Sequence, residues 1–191
     1  MAKTYPSLSA ELQSWIAQQP MYFLASAPLQ ADGHINLSPR GLDSLRILNG
    51  HELVILDLTG SGNETAAHLA ENGRLTLMLC AFSGDPKILR LYGQAKVIRP
   101  GQANWSDYRA LFVATMPGVR QLFHLRIDRI QTSCGFGVPL MEFVAQRDML
   151  TDWARKKGPA GIETYQQTKN ARSIDGLPAP GLGANEFPTA D

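Results

Sequence analysis

The chain has 191 residues, enough for one domain with an ordinary hydrophobic core. Hydrophobic residues make up 44% and the formal net charge is only +1, which excludes a general electrostatic grip on nucleic acid or an anionic membrane. No stretch reaches the ~20 apolar residues that span a bilayer, and MAKTYPSLSAELQSW lacks the apolar centre of a secretory signal, so a cytoplasmic location is expected.

Ser9 to Gln19 predicts a short helix, with Ser9 as N-cap, Glu11 in the first turn and an apolar stripe of Leu12, Trp15 and Ile16. Pro20 ends it. Met21 to Ala27 and His34 to Ser38 predict two strands joined through a polar turn at Asp32-Gly33, together a hairpin. Leu53 to Leu58 is apolar on both faces apart from Asp57, the pattern of a buried strand. Gly60 to Gly62 form a turn into a helix from about Asn63 to Asn72, closed by Gly73.

Arg74 to Phe82 and Lys87 to Ile98 predict a second strand pair, linked by Ser83 to Pro86, with Gly93 as a bulge or point of close approach. Asn104 to Val113 reads as helix and Leu122 to Thr132 as an alternating strand. Val138 to Ala145 is a further strand candidate. Met149 to Lys157 reads as a helix ended by Gly158. From Ser173 onward the chain is rich in Pro and Gly, the composition of a disordered tail or of an extended arm lying on a neighbour. The domain expectation is one unit over 1–172 and a tail over 173–191. Five to seven strands with hairpin links favour a mainly β, antiparallel barrel with flanking helices.

Several segments could carry chemistry. Thr59-Gly60-Ser61-Gly62-Asn63-Glu64-Thr65 joins a buried strand to a helix, where free N–H groups and the helix dipole can hold an anion. Ser61 and Glu64 also match a capping box, which alone could explain them. Asn36-Leu37-Ser38-Pro39-Arg40-Gly41 ends a strand in a turn, and Arg40 offers a planar fork suited to phosphate, or is simply a solvated arginine. Arg90 and Tyr92 share one strand face and could border a ligand or face solvent. Cys80 reads as core, and Cys134 in Ser133-Cys134-Gly135-Phe136-Gly137 as part of a structural turn. His34, His51, His68 and His124 share no metal-ligand spacing, so no metal is expected. No hydrolase elbow and no acid–base pair stands out, so difficult chemistry would need a cofactor.

The order HINLSPRG, LVILDLTGSGNETAAHLAENGRLTLMLCAF and PKILRLYGQAKV resembles the pyridoxamine phosphate oxidase-like, FMN-binding split-barrel family over roughly residues 10 to 135. The resemblance implies an FMN-binding split β-barrel and a homodimer holding FMN in clefts between subunits. It places the phosphate on Arg40 and on the helix start at Asn63, Glu64 and Thr65. Asn36, Ser38, Gly41, Arg90 and Tyr92 complete the expected cofactor-binding set. The oxidases carry further basic residues at the helix start, where this chain has Asn63-Glu64-Thr65, so Glu64 is expected to turn away. Their C-terminal substrate-binding residues have no clear counterpart here. The implied activity is an FMN-dependent oxidoreductase acting with a small-molecule electron donor or acceptor. The alternatives are a flavin-binding or sensing module without turnover, and the same barrel holding deazaflavin or haem.

Overall fold

The computed structural model describes residues 2–182. In chain order the elements are β1 (Lys3–Tyr5), α1 (Ala10–Ala17), β2 (Tyr22–Ser26), β3 (Asn36–Arg40), β4 (Leu45–Asn49), β5 (Glu52–Leu58), α2 (Glu64–Asn72), β6 (Arg74–Cys80), β7 (Lys87–Ile98), α3 (Trp105–Arg109), β8 (Val119–Cys134) and α4 (Met149–Lys169). All pairings are antiparallel, in the order β3-β2-β6-β7-β8-β5-β4, with β1 added to β8. The path does not close, because β3 and β4 lie at its two ends. This is the expected split-barrel architecture.

Strand alternation builds the main core. Leu24, Leu53, Ile55, Leu77, Leu79, Leu89, Leu91, Phe123 and Leu125 pack into one buried cluster. The other face of β5 sends Val54 and Leu56 into a second cluster with Ile98, Phe112 and Leu122. The two-sided apolar pattern of β5 thus reports burial on both faces. Ser9 caps α1, its hydroxyl accepting from Leu12 N at 3.3 Å. Gly73 ends α2 in the left-handed conformation, φ 71°. Cys80 is buried, and burial pushes its thiol pKa up.

The structure corrects several expectations. Eight strands are present among the described residues: β4, with a half-buried pattern, carries no clean alternation in LRILN, and β1 is only three residues long. β3 starts at Asn36 rather than His34, and α3 covers only Trp105–Arg109. Residues 138–145 form no strand; Met141 N donates to Phe82 O, but Leu140, Phe143 and Val144 stay exposed with no partner strand to alternate against. Gly158 (φ 67°) kinks α4 without ending it, because Pro159 suits the first turn of a helix and restarts one that runs to Lys169.

The stretch from Ser173 to Leu182, part of the predicted tail, makes defined contacts within its own chain. It folds back on its own chain, burying Ser173, Ala179 and Leu182. Arg172 bridges to Pro178, and Arg99 donates to Pro180 O at 3.0 Å. Asp175 clamps His34 through the backbone N–H at 2.8 Å and the ring Nδ1 at 2.6 Å. The remainder of the predicted tail lies outside the described residues.

Candidate functional site

β3 ends on Arg40, opposite Tyr22 of β2. β5 runs beside β8, with Asp57 facing Gln121 in the register. The end of the barrel core therefore carries a carboxylate where the preceding inward positions, Leu53 and Ile55, are apolar. Asp57 is wholly buried and survives there because it is surrounded by donors. Arg40 Nη1 makes a short ion pair with one carboxylate oxygen. Arg120 Nε and Gln121 Nε2 donate to the other at 2.9 and 2.7 Å. Burial alone would raise the Asp57 pKa, but Arg120 and Arg40 outweigh it and hold the carboxyl below its ordinary value. Burial likewise opposes the charge on Arg40, and Asp57 more than offsets it, so its pKa is raised. Tyr22 packs behind this pair, its hydroxyl 2.8 Å from Ser44 Oγ. Burial pushes Tyr22 up to about 12, so it stays a neutral phenol.

The network continues into the loop before α2. Arg120 Nη1 donates to Gly62 O at 2.9 Å, and Gln121 Nε2 to Asn63 Oδ1 at 2.7 Å. Asn63 Nδ2 donates to Asn170 O at 3.1 Å, and Asn170 Nδ2 returns to Gly60 O at 3.0 Å. Gln166 of α4 donates to Thr59 Oγ1 at 2.8 Å. The loop is thus held from β8 on one side and from the end of α4 on the other.

Between the end of β3, this loop, the start of α2 and the end of α4 lies an open cavity of about 740 Å³, a size usual for small-molecule and cofactor sites. Of the sequence-predicted residues it brings together Asn36, Ser38, Arg40, Gly41, Asn63, Glu64 and Thr65. Ser38 Oγ donates to Asn36 Oδ1 at 3.1 Å, and Asn36 Nδ2 to Thr65 Oγ1 at 3.0 Å, a polar chain joining β3 to α2. Arg90 and Tyr92 do not join them. The sheet order interposes β2 and β6 between β7 and β3. Arg90 Nη1 instead donates to Ser133 Oγ at 3.1 Å, and Tyr92 lines a separate groove with Ala25, Arg74 and Gly93. β7 is an interior strand, paired with β6 on one side and β8 on the other.

The capping box does not form. Asn63, not Ser61, is the N-cap, and its side chain points into the network rather than onto the helix. Glu64 stays on the cavity lining and accepts from Ile174 N at 3.0 Å, so the turn away that a capping role would give is not seen. The first N–H groups of α2 have no partner inside the helix by its geometry, and they sit beside a cavity. Arg40 Nε is buried and unpartnered among the described residues. Such an orphan donor signals a missing acceptor.

Sequence reasoning missed Asp57, Arg120 and Gln121 as site residues, and with them Lys169 and Arg172, which line the same cavity. Asp57 had left a signal, as the one polar residue in a buried strand. The others gave none, because β8, α4 and the segment after it are far in sequence from β3 and β5.

The family model described as "Pyridoxamine 5'-phosphate oxidase" matches residues 8–134. The chain is 38% identical over 190 residues to the pyridoxamine 5'-phosphate oxidase family protein ustO of Aspergillus flavus, covering 91% of this chain and 76% of that protein. Among solved structures, HupZ of Group A Streptococcus superposes with a TM-score of 0.53 at 17% identity, covering 64% of this chain and 90% of HupZ. A candidate pyridoxamine 5'-phosphate oxidase of Lactobacillus delbrueckii superposes with a TM-score of 0.50 at 17% identity, covering 67% and 98%. Likeness at this level supports the fold, whereas the match of the family model and the fungal relative reach further: the chain belongs to the pyridoxamine 5'-phosphate oxidase family.

Proposed function

We propose that the chain binds FMN in this cavity and works as an FMN-dependent oxidoreductase. The observation that carries the reading is the half-buried Arg40, with an orphan Nε, beside the free N–H groups that open α2. Both features suit a phosphate. Arg40 and Arg120 both face Asp57, so one of their two positive charges is left without a buried counter-charge. The polar chain Ser38-Asn36-Thr65 offers hydroxyl and amide groups to the ribityl part.

Bound FMN would supply hydride or electron transfer, which none of the lining side chains can perform. The residues of this chain bind and orient. Arg40 and the α2 start hold the phosphate, Asp57 fixes the Arg40 and Arg120 guanidiniums in place, and Leu56 and Leu58 exclude water from one wall. No His, Cys, Met or Tyr of the described residues lines the cavity. A homodimer fits the exposed Phe136, Leu140, Phe143 and Val144, a run of large apolar side chains that a second copy would cover.

The test is the absorption spectrum of the protein after incubation with FMN and removal of the excess. Retained flavin is expected in the wild type, and at least tenfold weaker binding in Arg40→Ala, since a hydrogen bond to a charged group contributes about 1.5–3 kcal/mol. No retention by the wild type at micromolar FMN overturns the reading. Steady-state oxidation of a nicotinamide donor then separates an oxidoreductase from a flavin-binding module that does not turn over.

A further inference from the structure

The charge around the cavity does not come from the barrel alone. Asp57 engages both Arg40 and Arg120, which leaves a surplus of only one positive charge from these three groups. A phosphate monoester carries about −1.5 to −2 at neutral pH. The start of α2 adds no cation, because it reads Asn63-Glu64-Thr65. Two further cations line the cavity, Lys169 in the last turn of α4 and Arg172 just beyond it. Among the described residues neither has an acidic partner. Arg172 Nη1 donates to Gly176 O at 2.8 Å, and its other N–H groups have no protein acceptor among the described residues. Glu64 is the remaining acid on the lining, and one of its oxygens already accepts from Ile174 N. With these three residues added, the site as a whole carries a surplus of two positive charges, which matches a dianion.

The placement of these cations is built into the fold. Asn170, next to Lys169, is fully buried and bonds both Gly60 O and the Asn63 side chain, which fixes the end of α4 against the anion-binding loop. Arg172 is held by its bridge to Pro178, while Ser173 is buried and Asp175 is clamped to His34. Both residues lie beyond the part of the chain, residues 8–134, that the family model matches.

The structure assigns Lys169 and Arg172, from the C-terminal segment, as the cations that complete the phosphate charge of the bound flavin. The assignment rests on the FMN reading above and makes a different prediction from it. Fluorescence titrations of the full chain with FMN and with riboflavin, which lacks the phosphate, separate the two. The wild type should prefer FMN. The double variant Lys169→Ala with Arg172→Ala should lose about tenfold to thirtyfold in FMN affinity, the range expected for two exposed charge-assisted contacts. Riboflavin affinity should not change. The salt dependence of FMN binding should flatten in the same variant. The charge-conserving exchange Lys169→Arg with Arg172→Lys should stay within about threefold of the wild type, and thermal unfolding should confirm that each variant is folded. If the wild type prefers FMN and the double variant does so equally, the assignment is wrong while the FMN site stands. If the wild type binds neither flavin, both fall.

Discussion

Asp57→Asn should destabilise the protein by about 3–5 kcal/mol, the usual cost of removing one partner from a buried ion pair. Asp57 is wholly buried, and its two guanidinium partners are themselves largely shielded from water, with side-chain exposures of 18% for Arg40 and 3% for Arg120. The amide keeps the volume and one acceptor oxygen, but it removes the charge that both arginines face and turns an N–H group toward their donors. For a chain of this size the thermal midpoint should fall by roughly 10 °C. The same change should weaken FMN, because Arg40 and the loop at Gly62 and Asn63 are oriented through Asp57, Arg120 and Gln121. A midpoint within about 2 °C of the wild type would mean that the network contributes little, and that the cluster is held by packing.

The same carboxylate sets an acid limit. Its folded pKa lies below the unfolded one, so its contribution is fully present above the ordinary carboxylate value, about 3.9. It is lost as pH falls through the folded value. His68 acts earlier. Burial lowers its pKa, so the folded state favours the neutral ring, and stability declines once pH drops below the ordinary histidine value near 6.5. The ring is held neutral by burial in the core side of α2, with Nδ1 3.0 Å from Ser26 Oγ. Denaturant titrations against pH should therefore show two steps, and only the lower one should vanish in Asp57→Asn.

The barrel was legible in the sequence because its information is local. Period-2 alternation, glycine at Gly73 and proline at Pro20 are written within a few residues of the structure they cause. The buried Lys87–Ile98 strand and the hairpin of β2 with β3 follow from them. The loop before α2 was also legible as a strand-to-helix junction, since a strand, two glycines and a helix start are contiguous. The donors behind it were not. Arg120 and Gln121 reach Asp57 only through the β5–β8 register, which neither strand encodes alone. α4 was cut short because Gly158 reads as a stop, whereas Pro159 restarts the helix and carries Lys169 to the cavity. The contacts of the tail's first part, up to Leu182, were hidden for a similar reason. Pro and Gly exclude regular elements, but they do not prevent a chain from being held by Glu64, His34 and Arg99. Arg90 and Tyr92 show the opposite limit, since correct alternation gives a face but not which cavity that face meets.

Gly93→Ala should cost about 3 kcal/mol, at the upper end of what overpacking usually costs. Gly93 sits where the β7–β8 register shifts, against the backbone of Arg126 and Ile127. A Cβ on Gly93 would lie 2.0 Å from Arg126 O and 2.9 Å from its carbonyl carbon. The obstruction is backbone, so no rotamer change relieves it, and the strands must separate or slip. Separation weakens the longest pairing in the sheet, and slip would also move Arg120 and Gln121 relative to Asp57, because β8 pairs with β7 and β5 at once. Gly137→Ala is the matched control: no atom lies within 4 Å of its added methyl, so stability should change by less than about 0.5 kcal/mol. If Gly93→Ala unfolds at the wild-type denaturant midpoint and retains FMN equally, β8 does not approach β7 as closely as described. If it loses stability and FMN together, the bulge at Gly93 is what sets the distance between the strands that carry the Asp57 cluster.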